Sequence, residues 1–87
     1  MYELEITAEG RRCLDRLPPK IRDVVLAFGF DTLAVNPLRV GKPLAGEFKG
    51  MWSARRAEYR VVYEIDDDRS VVLIHRVAPR GHAYRPR

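Results

Sequence analysis

The sequence predicts an α+β domain of order β-α-α-β-β-β, with a helical hairpin packed on one face of a mostly antiparallel sheet. Three observations carry this. An alternating stretch opens the chain, a helical period follows through about residue 33, and three β-rich runs separated by turn residues close it. Neither an internal repeat nor a low-complexity tract interrupts the pattern, so residues 1–87 read as one small domain. A chain of this length buries a little over ~60% of its unfolded surface, enough for a thin core.

"YELEIT" alternates apolar and polar side chains with Leu4 and Ile6 on one face, the signature of a half-buried strand. Thr7 is placed to cap a short helix through about Leu17, with Glu9 in its first turn and Arg16 in its last. Pro18 and Pro19 stop it, and Pro19 suits the first turn of a second helix, where its missing N–H is harmless. From Lys20, Ile21, Val24, Val25 and Phe28 form an i, i+3, i+4, i+7 stripe that Leu33 extends and Asn36-Pro37 ends. Gly29 inside that helix costs roughly 1 kcal/mol relative to alanine, which predicts a close packing contact or a frayed end. "NPLRVGKPLAGEFKG" then reads as an ordered loop anchored by Leu38, Val40, Leu44 and Phe48. Strands follow at about Met51–Arg56, Tyr59–Ile65 and Ser70–Val77, with "DDDR" turning between the last two.

Composition narrows the function classes. The chain has no apolar run long enough to span a bilayer. Its N-terminus carries acids where a signal peptide would carry positive charge, which predicts a cytoplasmic protein without a membrane partner. Cys13 is the single cysteine, which excludes an internal disulfide and a cysteine-based zinc site; at helical spacing from Leu14 and Leu17 it reads as a small buried apolar residue. His75 and His82 are too few to hold a metal without carboxylates, so neither metal nor cofactor is expected. Net charge is +4, and the tail from Arg76 to Arg87 holds four arginines and no acid. Arginine forks match phosphate, so nucleic acid is the partner this charge suits.

Strand parity sharpens that reading. Trp52 and Ala54 share one face of their strand, and Met51, Ser53 and Arg55 the other. In the next strand Tyr59, Val61, Tyr63 and Ile65 make an apolar face opposite Arg60, Val62 and Glu64. If the apolar faces meet the helices, Arg55 and Arg60 project together from the uncovered side. "VVLIHRV" does not alternate and reads as a central strand, with His75 a core histidine. Beyond it Pro79 and Gly81 bend the chain and gather Arg80, His82 and Tyr84.

For an RNA phosphodiester, metal-free cleavage needs in-line attack by the 2′-hydroxyl, a base, an acid, and cations where charge develops. Arginines supply the cations but do not act as the base. His82 and Tyr84 are proton-transfer candidates, and Glu47 is a further possible base. Tyr84 is alternatively a platform for an unpaired base. Lys42, Lys49, Ser53, Arg55, Arg56 and Arg85 complete the candidate phosphate-binding set.

The ordered set "GKPL", "GMWSARR", "YRVVYEI" and "RGHAY" resembles the RelE/ParE superfamily of bacterial toxins, and within it the ribosome-dependent RelE and YoeB endoribonucleases. The resemblance covers essentially the whole chain. It implies a microbial-RNase-like toxin of a type II toxin–antitoxin system that cuts mRNA in the ribosomal A site, next to 16S rRNA, and is neutralised by an acidic RelB-like antitoxin. DNA would be met only indirectly, through that complex. Arg60 matches the arginine thought to stabilise the transition state, Arg80 a second phosphate-contacting arginine, Tyr84 the tyrosine near the C-terminus and Arg55 a further basic residue of that surface. The match departs at Met51 and Ser53, where some RelE toxins carry lysines, and in "GKPL", which lacks the YoeB catalytic glutamate; His82 and Glu47 are substitutes by chemical argument. The alternatives are a ParE-like, non-enzymatic inhibitor of DNA gyrase, and a degenerate toxin that acts only as an antitoxin-bound co-repressor.

Overall fold

The computed structural model describes residues 1–79; Arg80, His82, Tyr84 and Arg85 lie outside the described residues. Among the described residues five strands form one sheet of order β1-β5-β4-β3-β2. They are β1 (Glu3–Ile6), β2 (Lys42–Pro43), β3 (Trp52–Arg56), β4 (Tyr59–Asp66) and β5 (Val71–Pro79). β1 runs parallel to β5, and every other neighbouring pair is antiparallel. Between β1 and β2 come α1 (Ala8–Asp15), α2 (Pro19–Phe28), a π-helical turn (Gly29–Leu33) and the short α3 (Pro37–Val40).

Local chemistry sets the helix ends. The Thr7 side chain accepts a hydrogen bond from the Gly10 amide at 3.1 Å, satisfying a donor that the first turn of α1 leaves over. Pro19 occupies the first turn of α2. Gly10 lies where a Cβ would stand 2.5 Å from the Ile74 carbonyl oxygen and 3.1 Å from Ile6 Cγ2, so glycine lets α1 lie directly on β5. At Gly29 both the packing contact and the break are present. A Cβ there would lie 2.9 Å from Leu4 Cδ2, and the regular helix gives way to the π turn at that residue. The π turn is why one amphipathic helix expected through Leu33 ends at Phe28.

Leu14, Val25 and Leu33 from the helical layer meet Ala54, Val61, Tyr63, Val72, Ile74 and Val77 from the sheet in one apolar cluster. The helices therefore cover the face that parity selects. β5 obeys that parity only through a β-bulge. Val62 pairs with Arg76 and Tyr63 with Ile74, which leaves His75 as the extra residue. The bulge lets Val72, Ile74 and Val77 all reach the core despite their uneven spacing, and it explains why this strand shows no clean alternation.

The segment expected as a loop carries structure. Pro37 starts α3 and is buried, and Lys42–Pro43 add the edge strand β2 opposite Ser53 and Trp52. Val40 packs against the core, but Leu38 is 55% exposed and anchors nothing. The anchor is instead Tyr63, fully buried, whose hydroxyl donates to the Pro37 carbonyl at 2.6 Å. Gly41 sits under that ring, where a Cβ would collide with the Tyr63 hydroxyl and stand 2.8 Å from the Ser53 carbonyl oxygen. Cys13 is half-buried against the core rather than fully enclosed.

Candidate functional site

The β3–β4 hairpin determines which guanidinium groups meet. Arg56 pairs with Tyr59, so only Ala57 and Glu58 turn the chain. Ala57 has φ of +55°, the left-handed conformation such tight hairpins require and one that costs a non-glycine residue about 1–2 kcal/mol. With a turn this short the register is locked, and it places Arg55 directly opposite Arg60. Opposed Cα atoms in an antiparallel pair stand about 4.5–5.5 Å apart, so both guanidiniums reach over the same patch of the face turned away from the helices.

That face is not simply open. Ser53 and Val62, which are paired with each other, are both buried, and Arg60 is half-buried whereas Arg55 is exposed. The patch thus has a closed floor with cations standing on it. Arg76 joins the same face, since it pairs with Val62 and Arg60 pairs with the next residue but one, Ala78. Its Nε and Nη2 donate to Glu9 Oε2 at 3.1 and 2.9 Å, tying the first turn of α1 to the sheet. Next along β5, His75 Nε2 lies 2.9 Å from Glu64 Oε1. His75 is a half-buried bulge residue with a carboxylate partner, not an enclosed core histidine.

The remaining candidates fall in three places. Lys42 is exposed on β2 and pairs with Ser53, one step along the same face from Arg55. Arg56 takes the alternate position, paired with Tyr59, and lines a groove of about 520 Å³ against α2 together with Arg55. Glu47 and Lys49 are exposed on a 3₁₀ turn (Gly46–Phe48) and its C-terminal end, within the β2–β3 connection. That connection precedes the start of β3, whereas Arg55 lies toward its other end, four residues or about 13 Å beyond Met51. The fold brings together Arg55, Arg60, Ser53 and Lys42, and it sets Glu47 and Lys49 apart from them.

Arg76 escaped sequence reading because the bulge that turns it onto this face leaves no signal in the local pattern beyond the broken alternation. Among the described residues no group of three or more His, Cys, Asp and Glu is arranged to hold a metal ion. Tyr63 stays protonated: burial pushes its phenol up to about 12, against the smaller lowering effect of a hydrogen bond from the Gly41 backbone. The Tyr2 phenol is also raised, first by its 2.6 Å hydrogen bond to Asp67. Among the described residues no helix is long and apolar enough to cross a membrane.

Residues 5–84 match the family described as the ParE toxin of type II toxin–antitoxin systems, parDE. Toxin RelG of Mycobacterium tuberculosis (strain ATCC 25618 / H37Rv) is 48% identical over 84 residues, covering 97% of each chain. Among solved structures, a chain of the RelBE2 toxin–antitoxin complex of M. tuberculosis superposes with a TM-score of 0.87 at 48% identity, over 91% of this chain and 98% of that one. The archaeal RelE–RelB complex of Pyrococcus horikoshii OT3 gives a TM-score of 0.70 at 26% identity, over 94% of this chain and 98% of the other.

Proposed function

The chain belongs to the RelE/ParE family of type II toxin–antitoxin toxins, and from that premise we propose that it is a metal-independent endoribonuclease that cuts mRNA in the ribosomal A site. Residues 1–87 act as one toxin domain, working in the cytoplasm and held inactive by an antitoxin. The observation that carries this reading is the register-locked pair Arg55–Arg60 on the face away from the helices. Two guanidiniums over one patch suit a dianionic phosphorane far better than they suit any role in packing.

The 2′-hydroxyl oxygen attacks the adjacent phosphorus, an O2′–P bond forms and the P–O5′ bond breaks. The products are a 2′,3′-cyclic phosphate and a 5′-hydroxyl. Arg60 and Arg55, with Arg80 following β5, stabilise the charge gained by the phosphoryl oxygens. Because these cations are fixed before the reaction, no reorganisation is needed as charge builds. His82 takes the 2′-hydroxyl proton and Tyr84 delivers a proton to the leaving O5′. Glu47 stands on the far connection and is the weaker base for a phosphate held at Arg60. Lys42 continues the face for the neighbouring nucleotide, in contact with mRNA and 16S rRNA, with buried Ser53 in the floor beneath it, while Lys49, Arg56 and Arg85 add peripheral charge.

The matched family description, ParE, favours one second reading, inhibition of DNA gyrase without catalysis. Induction of the chain in cells, with mapping of mRNA 5′ ends, separates the two. Cuts at a constant position within codons support the nuclease; DNA damage with intact message refutes it. Intact message and DNA together would leave the degenerate, co-repressor toxin.

A further inference from the structure

Along β4 the side chains turned away from the helices are Arg60, Val62 and Glu64. The first and last are four residues apart, about 13 Å of strand. Arg60 ends this row as a cation opposite Arg55, Val62 is buried at its middle, and Glu64 ends it as an anion. His75 Nε2 lies 2.9 Å from Glu64 Oε1, and both residues are half-buried. The next acid on this face, Asp66, is taken by Arg69, through the backbone amide at 3.2 Å and the guanidinium at 3.8 Å. Glu64 has no lysine or arginine partner among the described residues, and its Oε2 takes no hydrogen bond from them. A cross-strand pair with this much exposure adds at most about 1 kcal/mol, and the bulge that supplies His75 interrupts the β4–β5 ladder, so stability is a poor reason for the pair.

A carboxylate on an RNA-binding face repels phosphate, so it belongs where a base is held rather than the backbone. A nucleotide carries the complement of this row: an anionic phosphate at one end and hydrogen-bond donors on the base edge at the other. We propose that Glu64, oriented by His75, reads the base of a nucleotide flanking the phosphate held at Arg55 and Arg60, and that it selects guanine. An ionised carboxylate only accepts hydrogen bonds, so His75 Nε2 is the donor of their pair. Guanine sets two donors side by side on its pairing edge, N1–H and the N2 amine, which match the two carboxylate oxygens; Oε1 keeps a lone pair for this after accepting from His75. Adenine and cytosine set one amine beside an acceptor nitrogen, and uracil sets one N–H between two carbonyls, so each turns an acceptor toward the carboxylate. Splayed bases of single-stranded RNA are read on this edge. His75 is a positioning residue, whose bond holds both oxygens toward one base. The inference rests on the nuclease reading and adds the base that is read and the residue that reads it.

The test uses the full chain and short fluorescein-labelled oligonucleotides, adenine throughout except for one central base, with 2′-O-methyl sugars that block cleavage. The central base is guanine, inosine, adenine, cytosine or uracil, and fluorescence anisotropy at low salt gives each Kd. Wild type should bind the guanine oligonucleotide about tenfold more tightly than the adenine, cytosine and uracil ones, as one bidentate base contact provides. Inosine, which lacks the N2 amine, should fall between. In Glu64→Gln, with folding checked by thermal melts, the Kd values should converge to within about twofold; His75→Phe, which keeps a ring but not the donor, should narrow the preference without abolishing it. Equal affinity of wild type for every base overturns the proposal, as does a guanine preference that survives Glu64→Gln. An undiminished preference in His75→Phe overturns the part given to His75. Equal affinities alongside mRNA cuts at constant codon positions sink this inference and leave the nuclease reading standing. A guanine preference without any cut in cells does the reverse, and no binding to any oligonucleotide overturns the base site outright.

Discussion

Tyr63 lies under the segment that carries Lys42, Glu47 and Lys49, and replacing it with phenylalanine removes only the hydroxyl, with its bonds to the Pro37 carbonyl and the Gly41 backbone. The ring is 0% exposed, and its hydroxyl donates to the Pro37 carbonyl at 2.6 Å. Tyr63→Phe keeps the ring but strips that buried carbonyl of its donor. Leaving such a group unsatisfied costs about 1–3 kcal/mol, a large part of the roughly 5–15 kcal/mol that stabilises a typical domain. At about 4–8 °C per kcal/mol for a domain of this size, a loss of ~2 kcal/mol lowers Tm by roughly 8–16 °C. The pH dependence supplies a second signature. The folded phenol is pushed up to about 12, from 10.0 in the unfolded chain. Its stabilisation is therefore complete below pH 10 and is lost as pH rises toward 12, because the unfolded state releases its proton first. At ~1.4 kcal/mol per pH unit, the gap between wild type and Tyr63→Phe should narrow by about that amount between pH 9.5 and 11. Urea unfolding at pH 7, 9.5 and 11 measures both effects. Equal stability at pH 7, or parallel curves between pH 9.5 and 11, would refute the assignment of this hydroxyl as the anchor of α3 and β2.

Other perturbations test the site and its frame. Arg60→Ala should reduce mRNA cleavage by about 10²–10³-fold, the usual loss for one preorganised donor, while the antitoxin still binds; undiminished toxicity in induced cells would remove this residue from the site. Ala57→Gly should stabilise the chain by up to about 1 kcal/mol in chemical denaturation, since glycine adopts the left-handed turn without penalty, and cleavage should be retained because Arg55 stays opposite Arg60. Gly10→Ala should destabilise by about 1–3 kcal/mol in the same assay, because the new methyl meets the Ile74 carbonyl oxygen, which is part of the sheet and cannot move aside. Single-stranded RNA binding by the free toxin should weaken with salt, with a log–log slope near −2 if about three phosphates are neutralised; a flat salt profile would mean that the basic face does not carry the binding.

The strain at Ala57 and the charge at Arg55 and Arg60 belong together. A looser turn would let the two strands slip by one residue and end the opposition of Arg55 and Arg60. The fold accepts an unfavourable backbone angle to hold two like charges opposite each other, an arrangement that makes sense when an anion lies between them.

Much of this was determined by the chain's own pattern. The period of two at Leu4 and Ile6, the 3.6 period from Ile21, and the prolines at 18 and 19 are local signals that act within a few residues of themselves. That Arg55 and Arg60 share the face away from the helices was equally legible from strand parity, whereas their direct opposition came with the register of the hairpin. Tertiary structure decided the rest, since those features depend on residues far apart in sequence. Gly41 is explained by Tyr63, the bulge at His75 by the spacing of Val72, Ile74 and Val77 over the helices, and the small strand β2 by the edge of β3. The groove exists because Arg55 and Arg56 lie against α2, some thirty residues earlier in the chain. Local sequence encodes dihedral preference and the hydrophobic face; where two such faces meet, and what their meeting leaves uncovered, is settled only when the whole core closes.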